Sequence, residues 1–284
     1  MSVALVTDST ASLPAELAAE RAVTVVPLQV VIGATSYDEG TEDGATPEML
    51  AEALRAWTPV STSRPNPDEM LSVYERLAAE GATEIVSVHL SGELSGTYES
   101  AQLAARKAPV PVLAVDSRQV GMGTGFAVLA AADARDGGAE GSAVAAAARK
   151  RVSTTTSLFY VDTLEYLRRG GRMGAASALI GSALAVKPIL RIEEGRVAPF
   201  ERVRTAGKAL NRLEELAVEA AGGAQVDVAV AHLANPERAA ALAERLGDRL
   251  AAGLDGRVVG LGEIGAVLGA HVGPGMVAVC VARR

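Results

Sequence analysis

The chain has 284 residues, 49% hydrophobic but only 3% aromatic, with a formal net charge of −7. That length allows one or two domains around a large, aliphatic, alanine-rich core. The acidic balance, with no aromatics interleaved among lysines and arginines, excludes a general nucleic-acid binder. One cysteine, Cys280, excludes an internal disulfide and a cysteine-based metal cluster.

The chain begins directly with the apolar strand 3–6, with no basic leader in front, so no signal peptide is expected. The uncharged stretch 173–186 is too short to span a bilayer. A soluble cytoplasmic protein follows. After strand 3–6 and Thr7-Asp8-Ser9-Thr10, Pro14 opens a helix to residue 21, and the β-branched run 23–32 predicts one strand. Thr46-Pro47 and Asn66-Pro67 are helix starts, each a capping residue followed by proline at the first helical position. Strands 85–90 and 110–115 are each followed by a helix, at 96–107 and 121–136. Strands separated by helices predict a parallel sheet covered on both faces.

Residues 139–151 read as a connecting helix, beyond which the pattern changes. Strand 158–161 is followed by short helices at 164–169 and 175–184 around Gly170-Gly171-Arg172. Segments 188–192 and 196–200, separated by Glu193-Glu194-Gly195, predict a hairpin. Helix 206–221, strand 226–232, helix 236–252 and strands 257–261 and 276–282 complete the chain. The fold class is α/β: a mostly parallel N-terminal domain, 1–153, and a mixed-sheet C-terminal domain, 154–284.

Two hydroxyl clusters stand where helices begin: Ser61-Thr62-Ser63-Arg64-Pro65, and Leu94-Ser95-Gly96-Thr97 directly after a buried strand. The first N–H groups of a helix have no intrahelical partner and point at whatever lies in front. If the two loops meet at one sheet edge, they form a site for a small anionic head group. Gly260-Leu261-Gly262-Glu263-Ile264-Gly265 matches G-x-G-x-x-G, yet no acidic residue follows Glu263 to bind a ribose, so a glycine-lined turn is the better reading. No G-x-x-x-x-G-K-[ST] loop exists, so the chain carries no nucleotide site of its own. His89, His232 and His271 lack partners at ligand spacing, which leaves no expected metal site. His271, before Val272-Gly273-Pro274-Gly275, is a candidate site residue. A Ser-His-Asp hydrolase built from Ser95, His271 and Asp8 or Asp116 is one alternative, although Ser95 does not sit in a G-x-S-x-G elbow. Arg168, Arg169 and Arg172, then Arg202, Arg204 and Lys208, form local basic clusters in an acidic chain.

Thr7-Asp8-Ser9-Thr10, Ser61 through Pro65, Leu94-Ser95-Gly96-Thr97-Tyr98, Asp116-Ser117, Tyr166-Leu167-Arg168-Arg169-Gly170-Gly171-Arg172, Lys187-Pro188-Ile189-Leu190 and Gly269 through Gly275 together resemble the motifs of the DegV family, in order and over almost the whole chain. The family is similar in function to the fatty-acid-binding subunits of bacterial fatty-acid kinase. The resemblance implies a non-enzymatic lipid carrier that holds one long-chain fatty acid between two domains. It further implies a separate kinase subunit, bringing ATP and Mg²⁺, that phosphorylates the carboxylate. Carried over by motif, Thr62, Ser63, Ser95, Gly96, Thr97 and His271 would bind the carboxylate, and Arg172 and Arg204 would face the kinase. The chain departs from the family at Arg64, where glutamine is usual, and at Met122, where a small hydroxyl residue is common. A carrier of another acidic lipid, sterol-like or branched, is the second alternative. For the acid to exchange, some element must move. Segment 173–186, which follows the Gly170-Gly171 pair, is the expected lid and the expected site of transient contact with a membrane surface.

Overall fold

The structure, a computed structural model, describes residues 2–179 and 187–284. Strands β1 (Val3–Asp8), β2 (Val23–Val26), β6 (Glu84–His89) and β7 (Val112–Asp116) form a parallel sheet in the order β2-β1-β6-β7. Helices α3 (Pro67–Ala79) and α4 (Thr97–Ala105) cover one face; α1 (Ala15–Glu20), α5 (Met122–Asp136) and α6 (Gly141–Ser153) cover the other. This is the two-sided parallel sheet expected from the alternating pattern.

The run 23–32 is not one strand. Pro27 has no N–H to continue a ladder, and the next amide, Leu28 N–H, donates to Ser9 Oγ at 3.0 Å. Beyond it the chain enters a separate antiparallel sheet, β4-β3-β5, made of β3 (Gln29–Ile32), β4 (Thr35–Asp38) and β5 (Val60–Ser63). The hydroxyl cluster at 61–63 therefore lies on a strand, not in a loop, with Thr62 paired to Val30. Between β4 and β5 runs α2 (Pro47–Arg55), capped by Thr46 as expected.

The third sheet has the order β10-β9-β8-β13-β11-β12, from β8 (Thr155–Tyr160), β9 (Lys187–Glu193), β10 (Arg196–Val203), β11 (Val226–His232), β12 (Gly260–Glu263) and β13 (Val277–Arg283). All of its pairings are antiparallel except β11 with β12. Helices α7 (Glu165–Arg169), α8 (Ala206–Ala221), α9 (Pro236–Arg249), α10 (Ala251–Leu254) and α11 (Ala266–Val272) complete the fold. Gly174–Leu179 is a 3-10 turn; the rest of the helix expected at 175–184 and of the lid expected at 173–186, residues 180–186, lies outside the described residues. Among the described residues no helix is long and apolar enough to cross a membrane.

The two faces of this sheet carry side chains of different size. On β11, Val226, Val228 and Val230 face the helices, and on β13, Val277, Val279 and Val281 do the same, packing against leucines of α8 and α9. The intervening positions Ala229, Ala231, Ala278 and Cys280 are small. Ala229 pairs with Cys280, which pairs with Ser157, and Ala231 pairs with Ala278, which pairs with Phe159. The valine face builds a tight core, each side chain contributing about 1.5–3 kcal/mol; the alanine face leaves space.

The G-x-G-x-x-G segment does form a strand, a turn and a helix, from β12 into α11. The anion at that helix start belongs to the chain itself: Val267 N–H donates to Glu39 Oε1 at 2.7 Å. Gly265 is needed there, because a Cβ would stand 2.2 Å from the same oxygen. This explains the motif without a nucleotide.

A buried polar chain ties β1 to β6. Tyr74 OH donates to Ser87 Oγ at 2.8 Å, and Ser87 Oγ lies 2.7 Å from His89 Nε2. His89 Nδ1 lies 2.9 Å from Asp8 Oδ2, which also accepts the Leu90 N–H. Asp8 Oδ1 accepts from both the N–H and the hydroxyl of Thr10. Every group in the chain has a partner. Asp8→Ala strands the His89, Leu90 and Thr10 donors away from water, and urea unfolding should show a loss of at least about 2 kcal/mol. A loss within a few tenths would contradict this account of the network.

Candidate functional site

The small face of the mixed sheet is the floor of a cavity of ≈ 430 Å³, within the roughly 300–1,000 Å³ typical of small-molecule sites. Ala229, Ala231, Ser157, Ala278 and Cys280 lie on the floor; Leu28, Leu90, Val120, Met122, Ile264 and Leu268 are among the roof residues. Polar side chains gather at one end: Thr62 from β5, Ser95 from the turn before α4, His271 from α11 and Arg172. The two hydroxyl clusters thus do meet, across one cavity mouth, as the sequence suggested.

Thr62 Oγ1 and His271 Nε2 are 2.9 Å apart. The other ring nitrogen, Nδ1, is buried without a hydrogen-bond partner and lies against Gly170, where a Cβ would approach it to 2.1 Å. Burial, and secondarily the positive charge of Arg172, push the His271 pKa down from 6.5 to about 4. The ring is neutral at physiological pH. Placing the ring's one proton on Nε2 spares a buried Nδ1–H with no acceptor; the ring then donates to Thr62 and leaves the Thr62 hydroxyl free to donate into the cavity. Ser95 is arranged in the same way, since Thr97 N–H donates to Ser95 Oγ at 3.3 Å and Thr97 Oγ1 lies 2.9 Å from it.

One expected contact needs correction. Thr97 is fully buried behind Ser95 and does not line the cavity, because as the first residue of α4 its side chain packs into the helix start. Ser63 and Gly96 do line the mouth. Arg172 is half-buried at the mouth, not on an open rim: its Nε donates to Leu94 O at 3.1 Å and its Nη1 to Gly170 O at 2.6 Å. Arg204 is exposed just before the Thr205 cap of α8 and does not reach the cavity. Arg64 crosses the open side of Gly96, donating to Gly96 O at 3.0 Å and to Glu99 at 2.9 Å.

The hydrolase arrangement does not form. The partner of His271 is Thr62, while Asp8 is committed to His89 and Asp116 binds the N–H groups of Gly92 and Arg118. Among the described residues, no cluster of three or more His, Cys, Asp or Glu could hold a metal ion. The floor residues were missed in the sequence, although their signal is present as alternating large and small side chains in Val226–His232 and Val277–Arg283.

A family profile described as "Uncharacterised protein, DegV family" matches residues 2–284. A DegV domain-containing protein of Streptomyces coelicolor is 54% identical over 282 residues, 99% of each chain. Among solved structures, a DegV family protein from Thermus thermophilus, described by its fatty-acid binding, is similar with a TM-score of 0.92 at 35% identity, covering 100% of both chains. DegV of Bacillus subtilis, described as a fatty acid binding protein, has a TM-score of 0.89 at 33% identity, again over 100% of both.

The neutrality of His271 is directly measurable. Its folded pKa lies below that of the unfolded chain, so as pH falls the unfolded state takes up the proton first. The stability this ring contributes is complete above pH 6.5 and is lost between 6.5 and about 4. Ring-proton NMR should show the His271 transition near the lower value; a midpoint near 6.5 would contradict the buried, Arg172-facing environment.

Proposed function

The chain belongs to the DegV family, and on that premise we propose that it binds one long-chain fatty acid in this cavity and presents the carboxylate to a separate ATP-dependent kinase subunit. The observation that carries the reading is a single apolar cavity whose one polar end holds two hydroxyl donors and a neutral imidazole. The solved relatives from Thermus thermophilus and Bacillus subtilis are described as binding fatty acids, which supports the same ligand here.

In this reading the tail supplies affinity and the mouth supplies position. Sixteen carbons at about 0.8 kcal/mol per methylene give a gross driving force on the order of 10 kcal/mol, much of it offset by ordering and association costs. Thr62 and Ser95 donate to the carboxylate oxygens, Ser63 and Gly96 border them, and Thr97 and His271 fix the two donating hydroxyls from behind. Arg172 offsets the negative charge. Phosphoryl transfer depends chiefly on positioning and charge neutralisation. A carboxylate oxygen bonds to the terminal phosphorus of ATP, the bond from that phosphorus to the bridging oxygen breaks, and ADP leaves with the electron pair. The chain itself brings no nucleotide loop, so ATP and Mg²⁺ belong to the partner. Arg204, exposed and away from the cavity, suits the partner-facing surface. Loading of the acid by transient contact with a membrane surface, in the cytoplasm, completes the proposal.

The first test is chemical. Protein purified, denatured and extracted should release one long-chain acid per chain in mass spectrometry; a different lipid class would favour the broader acidic-lipid carrier. Thr62→Ala and Ser95→Ala each remove a hydrogen bond to a charged group, worth about 1.5–3 kcal/mol, and should weaken palmitate binding by at least roughly tenfold with the fold intact. Unchanged affinity in both variants would remove the head-group assignment. Arg204→Ala should keep palmitate affinity but slow acyl-phosphate formation with the kinase, and the deficit should shrink at high salt. Normal turnover at low salt would exclude this residue from docking.

A further inference from the structure

Outside the carboxylate end, a second and more open cleft of ≈ 510 Å³ shares Leu94, Ser95, Gly96, Arg172 and Val197 with the fatty-acid cavity and adds Arg196 on its outer wall. Arg196, on the first position of β10, is held by Glu93: Nε and Nη2 both donate to Glu93 Oε2, at 2.8 and 2.5 Å. Arg64, which lines the mouth of the fatty-acid cavity rather than the outer cleft, stands over Gly96 between the two and pairs with Glu99 at 2.9 Å, and Arg172 is anchored to backbone carbonyls of Leu94 and Gly170. Three guanidinium groups thus surround the turn 94–96. Thr62, Ser95 and the charge of Arg172 suffice to hold a carboxylate, which leaves Arg196, outside the fatty-acid cavity, without a role in binding the free acid.

We propose that Arg196, with Arg64 and Arg172, forms a phosphoryl-binding collar that holds the phosphate of an acyl phosphate in the outer cleft. The proposal rests on the phosphorylation reading above and adds a product site to it. Converting a carboxylate to an acyl phosphate moves the negative charge outward from the hydroxyl pair and raises it from one to about two. Planar guanidinium forks match phosphate oxygens bidentately. The pairs Arg196–Glu93 and Arg64–Glu99 are exposed, with side-chain accessibilities of 64% and 43% in the first and 47% and 66% in the second. Exposed pairs of this kind are weak, so either arginine can exchange its carboxylate for a dianionic phosphate. Gly171, with nothing within 4 Å of the place a Cβ would take, leaves the phosphate room on that wall of the cleft. The collar retains the labile product while its carbonyl stays with Thr62 and Ser95.

The test compares two ligands on the same protein: palmitate, and 2-oxoheptadecylphosphonate, a stable analogue in which a methylene replaces the bridging oxygen of palmitoyl phosphate. Arg196→Ala should weaken the phosphonate by about tenfold or more and leave palmitate unchanged, because Arg196 does not line the fatty-acid cavity. Arg196→Lys, which keeps the charge but loses the fork, should recover part of that loss. Glu93→Gln should tighten the phosphonate and leave palmitate unchanged, since it frees Arg196. Equal loss of both ligands in Arg196→Ala, or an undiminished phosphonate affinity, overturns the collar while leaving the fatty-acid site standing. Failure of the wild-type protein to bind palmitate at all overturns the fatty-acid reading and the collar with it.

Discussion

The constraint on which the structure turns is that one sheet must satisfy two neighbours of unequal thickness. Strands β8, β11 and β13 present valines and leucines to α8 and α9, where close packing contributes most of the core energy. The same strands present Ala229, Ala231, Ala278, Cys280 and Ser157 to the other side. Because side chains alternate strictly along a strand, this division needs only a period-two pattern, kept in register across three strands. The space left over is apolar and closed above by α11 and the segments that follow β2, β6 and β7.

What α11 does follows from how it is held. Glu39 from the small sheet accepts the Val267 N–H at its start, and burial raises the carboxyl's pKa above the ordinary value. At its other end His271 reaches back to Thr62 of that same sheet. The helix is thereby pinned at both ends to one hairpin unit, and the imidazole it carries is kept neutral by its surroundings. A neutral ring can fix a hydroxyl without bringing a positive charge to the cavity end. Charge comes instead from arginines placed further out.

Much of this was legible in the sequence because local signals and global packing agree. The caps at Thr46 and Asn66, the helices after β6 and β7, and the hairpin around Gly195 are all set by residues within one turn of each other. The meeting of Thr62 with Ser95 was readable as two hydroxyl clusters before helices, although β5 was not: a four-residue edge strand of polar residues carries no apolar alternation to betray it. Pro27 broke a run that composition alone reads as continuous. Arg172 and Thr97 illustrate the other limit. Motif position brings a residue to the site, but whether its side chain faces the ligand, a carbonyl or a helix interior depends on packing contacts, as near as Ser95 for Thr97 and as far as Leu94 for Arg172. The floor was the reverse case, since its Val-Ala alternation is written plainly but gains meaning only once three strands are aligned.

The central claim is that the tail lies along the small-residue floor with its head at Thr62 and Ser95. A series of saturated acids of increasing length tests it most directly, measured on the wild type and on Ala229→Leu, which fills the row farther along β13 from His271. Affinity in the wild type should rise by about fourfold per methylene and then level off where the cavity ends. The variant should match the wild type for short acids and level off at a shorter chain. An unchanged break point, or the same loss at every length, would contradict this placement of the tail.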